Sequence, residues 1–207
     1  ANIDDLCYLL KSARSFCMPV FVLGRGSNLL IADSGFDGLV VHLRGDHWKC
    51  IEKLDEKRVQ AGAGARLQAL CVKACKWGIG GLEFLEGIPA SVGGALRMNA
   101  GAMGGWTFDV VEEVEFVTLN GEIRRLRKDE FHVGYRYCEE LKSAIAIKAV
   151  FAGPGAKNVS EVRNKMDSYS GIRVESQPRE PSAGCIFKNP EGGHAGKIID
   201  ELGLKGL

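Results

Sequence analysis

The chain has 207 residues, and its 27 lysines and arginines nearly balance its 26 aspartates and glutamates, giving a formal charge of +1. That length suits one compact domain and part of another, and the near-neutral charge gives no sequence-wide reason to expect nucleic acid or a membrane surface as partner. No apolar run reaches the roughly 18–20 residues that span a bilayer, and the start lacks a signal sequence, so we expect a cytoplasmic protein.

In the first part of the chain, helical and strand patterns alternate. Ile3, Leu6, Leu10 and Ala13 repeat at helical spacing, and a second helix is expected over about residues 66–77. Short apolar runs bounded by turn residues predict strands at "PVFVLG", "LLIAD", "LVVHLR", "HWKCIEKL" and "RVQAGAG". The pattern indicates a mixed α+β fold.

From Gly78 to Gly105 glycine and alanine dominate, so this backbone can approach another group closely. Asn120-Gly121 between two apolar runs predicts a β-hairpin, and "SAIAIKAVFAG" predicts a central strand. "GPG" at residues 153–155 is a candidate boundary, followed by a polar helix over about 159–169 and a final helix starting near Ala195.

Two glycine-rich segments are candidate phosphate sites. "LGRGSNLL", residues 23–30, can form a concave loop of backbone N–H groups, but it lacks the third glycine of the Rossmann fingerprint. "EGIPASVGGALRMNAGAMGG" can provide a small-residue floor for a long flat ligand. Either segment could instead be a turn or tight packing, so a dinucleotide cofactor and a purely structural role both remain open.

The seven cysteines are odd in number and form no Cys-x-x-Cys pair, which gives no indication of a disulfide framework. Together with histidines at unrelated spacings, they predict no metal site.

Four successive motifs carry a family resemblance: "VLGRGSNLLIADSGFDGLVV", "GLEFLEGIPASVGGALRMNAGAMGG", "GYRYC" and "PSAGCIFKNP" with "AGKIIDELGLKG". In this order they resemble the UDP-N-acetylenolpyruvoylglucosamine reductases, flavoenzymes of bacterial peptidoglycan synthesis. The resemblance implies bound FAD, NADPH as hydride donor, UDP-N-acetylglucosamine enolpyruvate as substrate and a bacterial, monomeric, cytoplasmic enzyme. It implies an FAD-binding domain of the vanillyl-alcohol-oxidase type over residues 1–153, with two subdomains divided near residue 64, and the first part of an α/β substrate-binding domain over residues 154–207.

The resemblance also assigns site residues. The FAD contacts would be Gly24, Arg25, Gly26, Ser27, Asn28, Leu29, Gly87, Ser91, Val92, Gly93, Asn99, Gly101 and Ala102. Arg136 would hold the negative charge that develops on the enolpyruvyl carboxylate side, and Cys185, where much of the family has serine, would protonate the enolate. Arg173 and Asn189 would contact the substrate, whereas Tyr135 is interpreted as a packing residue.

Two features depart from the family pattern. Cys138 stands in "GYRYC" where the family usually has serine, and the family continues beyond the last helix to a C-terminal glutamate. We therefore expect this sequence to be shorter than a complete member at both ends, and of the subtype without the tyrosine-loop insertion. A flavin-binding chain without turnover and an oxidase of the same FAD fold are the alternatives.

Overall fold

The computed structural model describes residues 2–155, 158–176, 186–204 and 206. Within these ranges the α-helices are α1 (Ile3–Ser15), α2 (Leu67–Lys76), α3 (Val92–Met98), α4 (Thr107–Val110), α5 (Val159–Ser176) and α6 (Ala195–Glu201). The strands are β1 (Val20–Val22), β2 (Leu39–Val41), β3 (Ile51–Lys53), β4 (Arg58–Gly62), β5 (Gly101–Ala102), β6 (Gly105–Trp106), β7 (Val111–Thr118), β8 (Ile123–Arg127), β9 (Val133–Gly134), β10 (Tyr137–Cys138) and β11 (Ala144–Ala152).

A five-stranded antiparallel sheet, in the order β3-β4-β11-β7-β8, lies at the centre of the fold. The strand predicted to be central, β11, is its middle strand. Ala149 and Phe151 of β11 belong to the larger hydrophobic cluster, whereas Ile145 and Ile147 belong to a second cluster. Burial of both faces explains why the sequence of β11 is apolar almost throughout.

The predicted hairpin at Asn120-Gly121 is confirmed by the antiparallel pairing of β7 with β8. Gly121 has a φ of +75°, a conformation that glycine adopts without steric cost, and its N–H donates to the Thr118 carbonyl at 2.8 Å. Local turn chemistry therefore sets the register of this edge of the sheet.

Helix α1, which was predicted from its apolar spacing, covers the second face of the sheet. It starts at a capping box, in which Asn2 Oδ1 accepts from the Asp5 N–H at 2.9 Å and Asp5 Oδ2 accepts from the Asn2 N–H at 2.8 Å. Leu6 and Leu10 are buried in the cluster that also contains Ile145 and Ile147. The parallel pair β1–β2 is held beside the sheet by the same cluster, which also takes in Val20.

Two strand predictions in this region need correction. No strand forms at "LLIAD" in the described residues: β1 pairs directly with β2, and the intervening loop leaves Leu30 98% and Ile31 59% exposed. Without a partner strand to bond its backbone, an apolar run does not become a β-strand. In "HWKCIEKL", only the second half forms β3; the first half is a 3-10 turn that buries Trp48.

The segment rich in glycine and alanine folds into short elements whose bounds its composition does not define. Ser91 caps α3 by accepting the Gly94 N–H at 3.3 Å, and the helix ends at Asn99, which has a left-handed φ of +38°. The two-residue turn between β5 and β6 also has positive φ at both positions, Met103 and Gly104, as in a type I′ hairpin.

Helix α5 is longer than predicted, because it continues through Gly171 to Ser176. Val162 and Met166 are buried in the larger cluster with residues of α2. Lys165 Nζ also lies 3.8 Å from the buried carboxylate of Glu83. The chain after the "GPG" stretch thus packs on the core formed before it. No helix in the described ranges is both long and apolar enough to cross a membrane.

Candidate active site

A cavity of about 990 Å³ opens between the β1–β2 pair, the start of α3 and the start of β11. Its volume lies at the upper end of the 300–1,000 Å³ usual for small-molecule sites. The loop after β1 and the first residues of β11 lie on its wall. The cavity is therefore large enough for an extended ligand and is built from parts of the chain more than 100 residues apart.

The cavity wall is strongly cationic. Its lining residues, all within the described ranges, include no aspartate or glutamate but six cations: Arg25, Arg44, Lys49, Arg66, Arg97 and Lys142. His42 also lines it, and its pKa is lowered, first by partial burial and then by the charges of Arg44 and Lys49. In a chain with a net charge of only +1, such a concentration of positive charge indicates a site for an anionic group.

Glycine lets two parts of the backbone meet on this wall. A β-carbon at Gly24 would lie 3.0 Å from Ser91 Oγ, and one at Gly93 would lie 3.1 Å from the β-carbon of Ala63. Gly26 adds a φ of +74° in the same loop. The approach of Gly24 to Ser91 brings the first glycine-rich segment against the second, as a ligand held by both would require, whereas Gly93 brings α3 against the residue that follows β4.

The cavity gathers five of the residues predicted to contact a cofactor: Gly24, Arg25, Gly26, Ser91 and Gly93. Three other predicted contacts, Ser27, Asn28 and Leu29, continue the same loop without lining the cavity. Of these, Asn28 donates to Met98 Sδ at 3.8 Å, and Leu29 is 43% exposed. Val92 is fully buried, so its side chain belongs to the core.

Gly87 lies apart from the cavity, beneath the side chain of Arg173. A β-carbon at Gly87 would collide with Cδ, Nε and Nη1 of Arg173. This contact joins α5 to the second glycine-rich segment and brings together a residue predicted to bind the cofactor and one predicted to bind the substrate. Gly101 and Ala102 form β5, outside the cavity wall.

Arg136 lies at the tip of a tight hairpin. Gly134 pairs with Tyr137 across β9–β10, so Tyr135 and Arg136 are the two turn residues. Arg136 has a φ of +56°, a conformation that costs a non-glycine residue about 1–2 kcal/mol. Its guanidinium carbon lies 5.7 Å from the centre of the Tyr135 ring, which in turn meets Trp106 edge to face at 6.0 Å.

Asn189 lies beside this hairpin. Its N–H donates to the Tyr135 hydroxyl at 3.5 Å, and its Oδ1 accepts from the Ala195 N–H at 3.1 Å, next to the start of α6. Tyr135 thus does more than pack, because it connects the arginine hairpin to the segment before the last helix. Cys185 lies outside the described residues.

Comparisons with known proteins identify the family. A model named "FAD binding domain" matches residues 1–127, and one named "UDP-N-acetylenolpyruvoylglucosamine reductase, C-terminal domain" matches residues 177–207. The reductase of Lactobacillus gasseri is 39% identical over 99% of this chain, which spans 68% of that protein. This chain belongs to the UDP-N-acetylenolpyruvoylglucosamine reductase family. The reductase of Agathobacter rectalis is also 39% identical, over 99% of this chain and 69% of its own length.

A solved structure supports the same family. The UDP-N-acetylenolpyruvylglucosamine reductase of Thermus caldophilus matches with a TM-score of 0.84 and 37% identity, over 100% of this chain and 72% of that one. The predicted α+β fold with an FAD-binding domain is confirmed. FAD, which carries a pyrophosphate between two flat ring systems, suits the cationic, glycine-lined cavity.

Sequence reasoning missed most of the cavity's positive charge. Arg44, Lys49, Arg66, Arg97 and Lys142 are scattered over almost 100 positions, and no motif joins them. Only the fold brings them to one wall, so no spacing rule could have selected them from the 27 basic residues.

Cys138, the departure from the reductase family noted above, is fully buried in β10. Burial raises the pKa of its thiol to about 11, against a smaller opposing effect of neighbouring backbone N–H groups. The thiol lies 4.0 Å from Glu140 Oε2, which also accepts from the His132 N–H at 3.1 Å. Cys138 is therefore a neutral core group at neutral pH, at the base of the arginine hairpin.

Proposed function

We propose that this chain holds FAD in the cationic cavity and that its Arg136 and Cys185 act on the substrate. The overall reaction is the NADPH-dependent reduction of UDP-N-acetylglucosamine enolpyruvate to UDP-N-acetylmuramate, a step of peptidoglycan synthesis. The observation that carries the proposal is a cavity with six cations, no carboxylate and two glycine-rich walls.

Gly24, Arg25, Gly26, Ser91 and Gly93 hold the FAD pyrophosphate, because they combine backbone approach with hydrogen-bond donors on one wall. Ser27, Asn28 and Leu29 continue that loop along the cofactor. Gly87, Val92, Asn99, Gly101 and Ala102 complete the proposed flavin surroundings through their backbone. When bound, FAD carries a hydride from NADPH to the terminal vinyl carbon of the enolpyruvyl group.

Arg136 stabilises the charge that hydride addition creates. A guanidinium presents paired N–H donors that match a carboxylate, and it stays charged at every physiological pH. Its strained position at the tip of a short hairpin fixes its backbone and so limits the directions in which the side chain points. Pre-set donors of this kind stabilise a transition state without reorganisation.

Cys185 donates the proton that completes the reduction. A thiol with an ordinary pKa of about 8.5 remains protonated at neutral pH and is a stronger acid than the serine hydroxyl found in much of the family. The contact that supports this role is that of Asn189, four positions after Cys185 in the sequence, with Tyr135 beside Arg136. Asn189 and Arg173 hold the sugar nucleotide in this proposal.

We also propose a domain division, an oligomeric state and a cellular location for this enzyme. Residues 1–153 form the FAD-binding domain, divided near residue 64, and residues 154–207 begin the substrate-binding domain. The enzyme works as a monomer in the bacterial cytoplasm, where its product supports cell-wall growth and hence cell shape and division.

The first test is the visible spectrum of the purified protein carrying its natural C-terminus, followed by NADPH addition without oxygen. We expect oxidised-flavin bands that bleach with NADPH and return with the enolpyruvyl sugar nucleotide. Bands that bleach but do not return would indicate a flavin protein without this turnover, and peroxide release with an alcohol or hydroxy acid would indicate an oxidase. A protein that binds no FAD would refute the proposal.

A further inference from the structure

The side chain of Asn99 joins two backbone segments. It is 6% exposed, its Oδ1 accepts the Phe108 N–H at 3.1 Å, and its Nδ2 donates to the Gly134 carbonyl at 3.4 Å. Phe108 lies in α4, whereas Gly134 is the residue immediately before the Tyr135-Arg136 turn. One buried amide therefore bonds both the helix that follows β6 and the hairpin that carries Arg136.

Asparagine suits this position for two separate reasons. Its backbone has a left-handed φ of +38°, which asparagine, aspartate and glycine adopt more readily than other residues. Its amide also supplies one acceptor and one donor at the same time, which neither aspartate nor glycine does. The conformational and the hydrogen-bonding requirements can thus be separated by substitution.

The conformation of the β9–β10 hairpin must be stabilised by contacts from outside the hairpin. Its ladder consists of only two residue pairs, Gly134 with Tyr137 and Val133 with Cys138, and its tip is occupied by an arginine in a strained conformation. Such strain persists only where the surroundings fix the backbone. The amide of Asn99 provides one such constraint from α3, the helix whose first residues lie on the cavity wall.

We propose that Asn99 is a positioning residue that holds Arg136 in place for the substrate half of the reaction by bonding the Gly134 carbonyl. This inference rests on the proposed function of Arg136. It adds to the predicted placement of Asn99 near the cofactor a role that does not require contact with FAD. The bond ties the geometry of the arginine to the helix that forms part of the cofactor site.

The decisive substitution is Asn99→Asp. It retains the left-handed conformation and the oxygen that accepts the Phe108 N–H. It replaces the N–H donor to Gly134 with a carboxylate oxygen, so that two acceptors, this oxygen and the Gly134 carbonyl, face each other. Asn158→Asp is the matched control, because among the described residues Asn158 Oδ1 accepts only from the Ser160 N–H and hydroxyl at the start of α5, a role that aspartate retains.

Both variants are measured as FAD-loaded enzymes in the two half-reactions. For Asn99→Asp we expect bleaching by NADPH and FAD retention within about twofold of the parent, and reoxidation by the enolpyruvyl sugar nucleotide slowed at least tenfold, since a displacement of about 1 Å can cost about 100-fold. In an Arg136→Ala background, Asn99→Asp should change reoxidation less than twofold, because the residue it positions is gone.

Other outcomes overturn the inference. Weaker FAD binding with normal reoxidation of the bound flavin would make Asn99 a flavin contact, and an equal effect with and without Arg136 would make it a general packing residue. If Asn99→Asp melts far below the parent, Asn99→Gly replaces it, because glycine accepts the positive φ and brings no charge.

Amide hydrogen exchange keeps this test separate from the proposed function. In Asn99→Asp we expect faster exchange at residues 135–137 and unchanged exchange in α5, whether or not the enzyme turns over. Unchanged exchange at the hairpin would refute the link between Asn99 and Arg136. A parent protein that fails with NADPH or with the sugar nucleotide would instead count against the proposed function alone.

Discussion

The cationic cavity and the Arg136 hairpin fix their functional groups in different ways. In the cavity, five of the six cations are exposed side chains on long flexible stems, and only Arg97 is partly buried. At the hairpin, one arginine is held by a strained backbone, with the buried Asn99 side chain bonded to the hairpin and Cys138 buried at its base. Binding an anion by summed charge tolerates the loss of one member, whereas stabilising a transition state by position does not.

The largest effect is expected at Cys185, the proposed proton donor. Cys185→Ala should slow reoxidation of reduced flavin by the enolpyruvyl sugar nucleotide by about 10²–10⁴-fold, the usual contribution of a positioned general acid. Flavin reduction by NADPH should stay nearly unchanged, and Cys185→Ser should retain activity. Rapid-mixing spectroscopy of each half-reaction makes the measurement.

Cys50→Ala is the matched control, because Cys50 is an exposed cysteine whose side chain does not line the cavity. Equal slowing of both half-reactions by Cys185→Ala would contradict the assigned role. A fully active Cys185→Ala variant would leave the thiol with no part in proton transfer.

Removing the guanidinium should have the next largest effect. Arg136→Ala should slow reoxidation by about 10²–10³-fold, as the loss of one preorganised donor does in other enzymes. Arg136→Gly should be as slow but more stable to urea than Arg136→Ala, because glycine accepts the φ of +56° without strain. If the two variants unfold at the same urea concentration, the strain described for this hairpin is absent.

A single cavity cation should matter much less. Arg66→Gln should weaken FAD binding roughly fivefold at low salt, which corresponds to about 1 kcal/mol for a screened charge pair at contact. Arg163→Gln, which removes a cation from the exposed face of α5, is the control. The difference should shrink as salt rises to 0.5 M, and titration of the apoprotein by fluorescence measures it. A loss of more than 100-fold would show that this wall, like the hairpin, depends on one positioned group.

The smallest effect is a dependence on pH. The pKa of His42 is lowered in the folded protein, so the unfolded chain binds more protons as pH falls through the usual histidine range. Stability therefore rises with pH through that window, and His42→Gln should flatten the rise. An anion beside His42 favours its protonated form, so FAD affinity should increase from pH 7.5 to 5.5 in the parent but less in His42→Gln. Urea unfolding and FAD titration at both pH values test this, and His47→Gln serves as the control outside the cavity.

Sequence patterns correctly predicted the elements that depend on interactions between residues close together in the sequence. Apolar spacing placed α1, the continuous apolar run placed β11, and Asn120-Gly121 placed a hairpin. The strand expected at "LLIAD" failed because strand formation depends on a partner, and β1 takes β2 instead. A short stretch of sequence does not show which of two segments will pair with β1.

In the candidate site, too, some residues could be predicted from local sequence and others could not. Gly24, Gly26 and Gly93 could be selected in advance because close backbone approach restricts the residue type. Arg44 and Lys142 could not, since a surface cation has the same local pattern whether it faces solvent or a ligand. The link from Asn99 to Gly134 was also beyond the sequence, because two residues 35 positions apart meet only through the turn between them and the packing of β10 on α3.

The position of β11 has a consequence for the life of the protein in the cell. Its first residues line the cavity, whereas its later residues are buried between β4 and β7 in the core. In the proposed site FAD contacts the central strand of the sheet, so its binding should add to global stability, by about 2.7 kcal/mol at a free concentration of 100 times Kd. We therefore expect a cell short of flavin to contain less of this protein, because more of the unliganded chain is open to proteolysis.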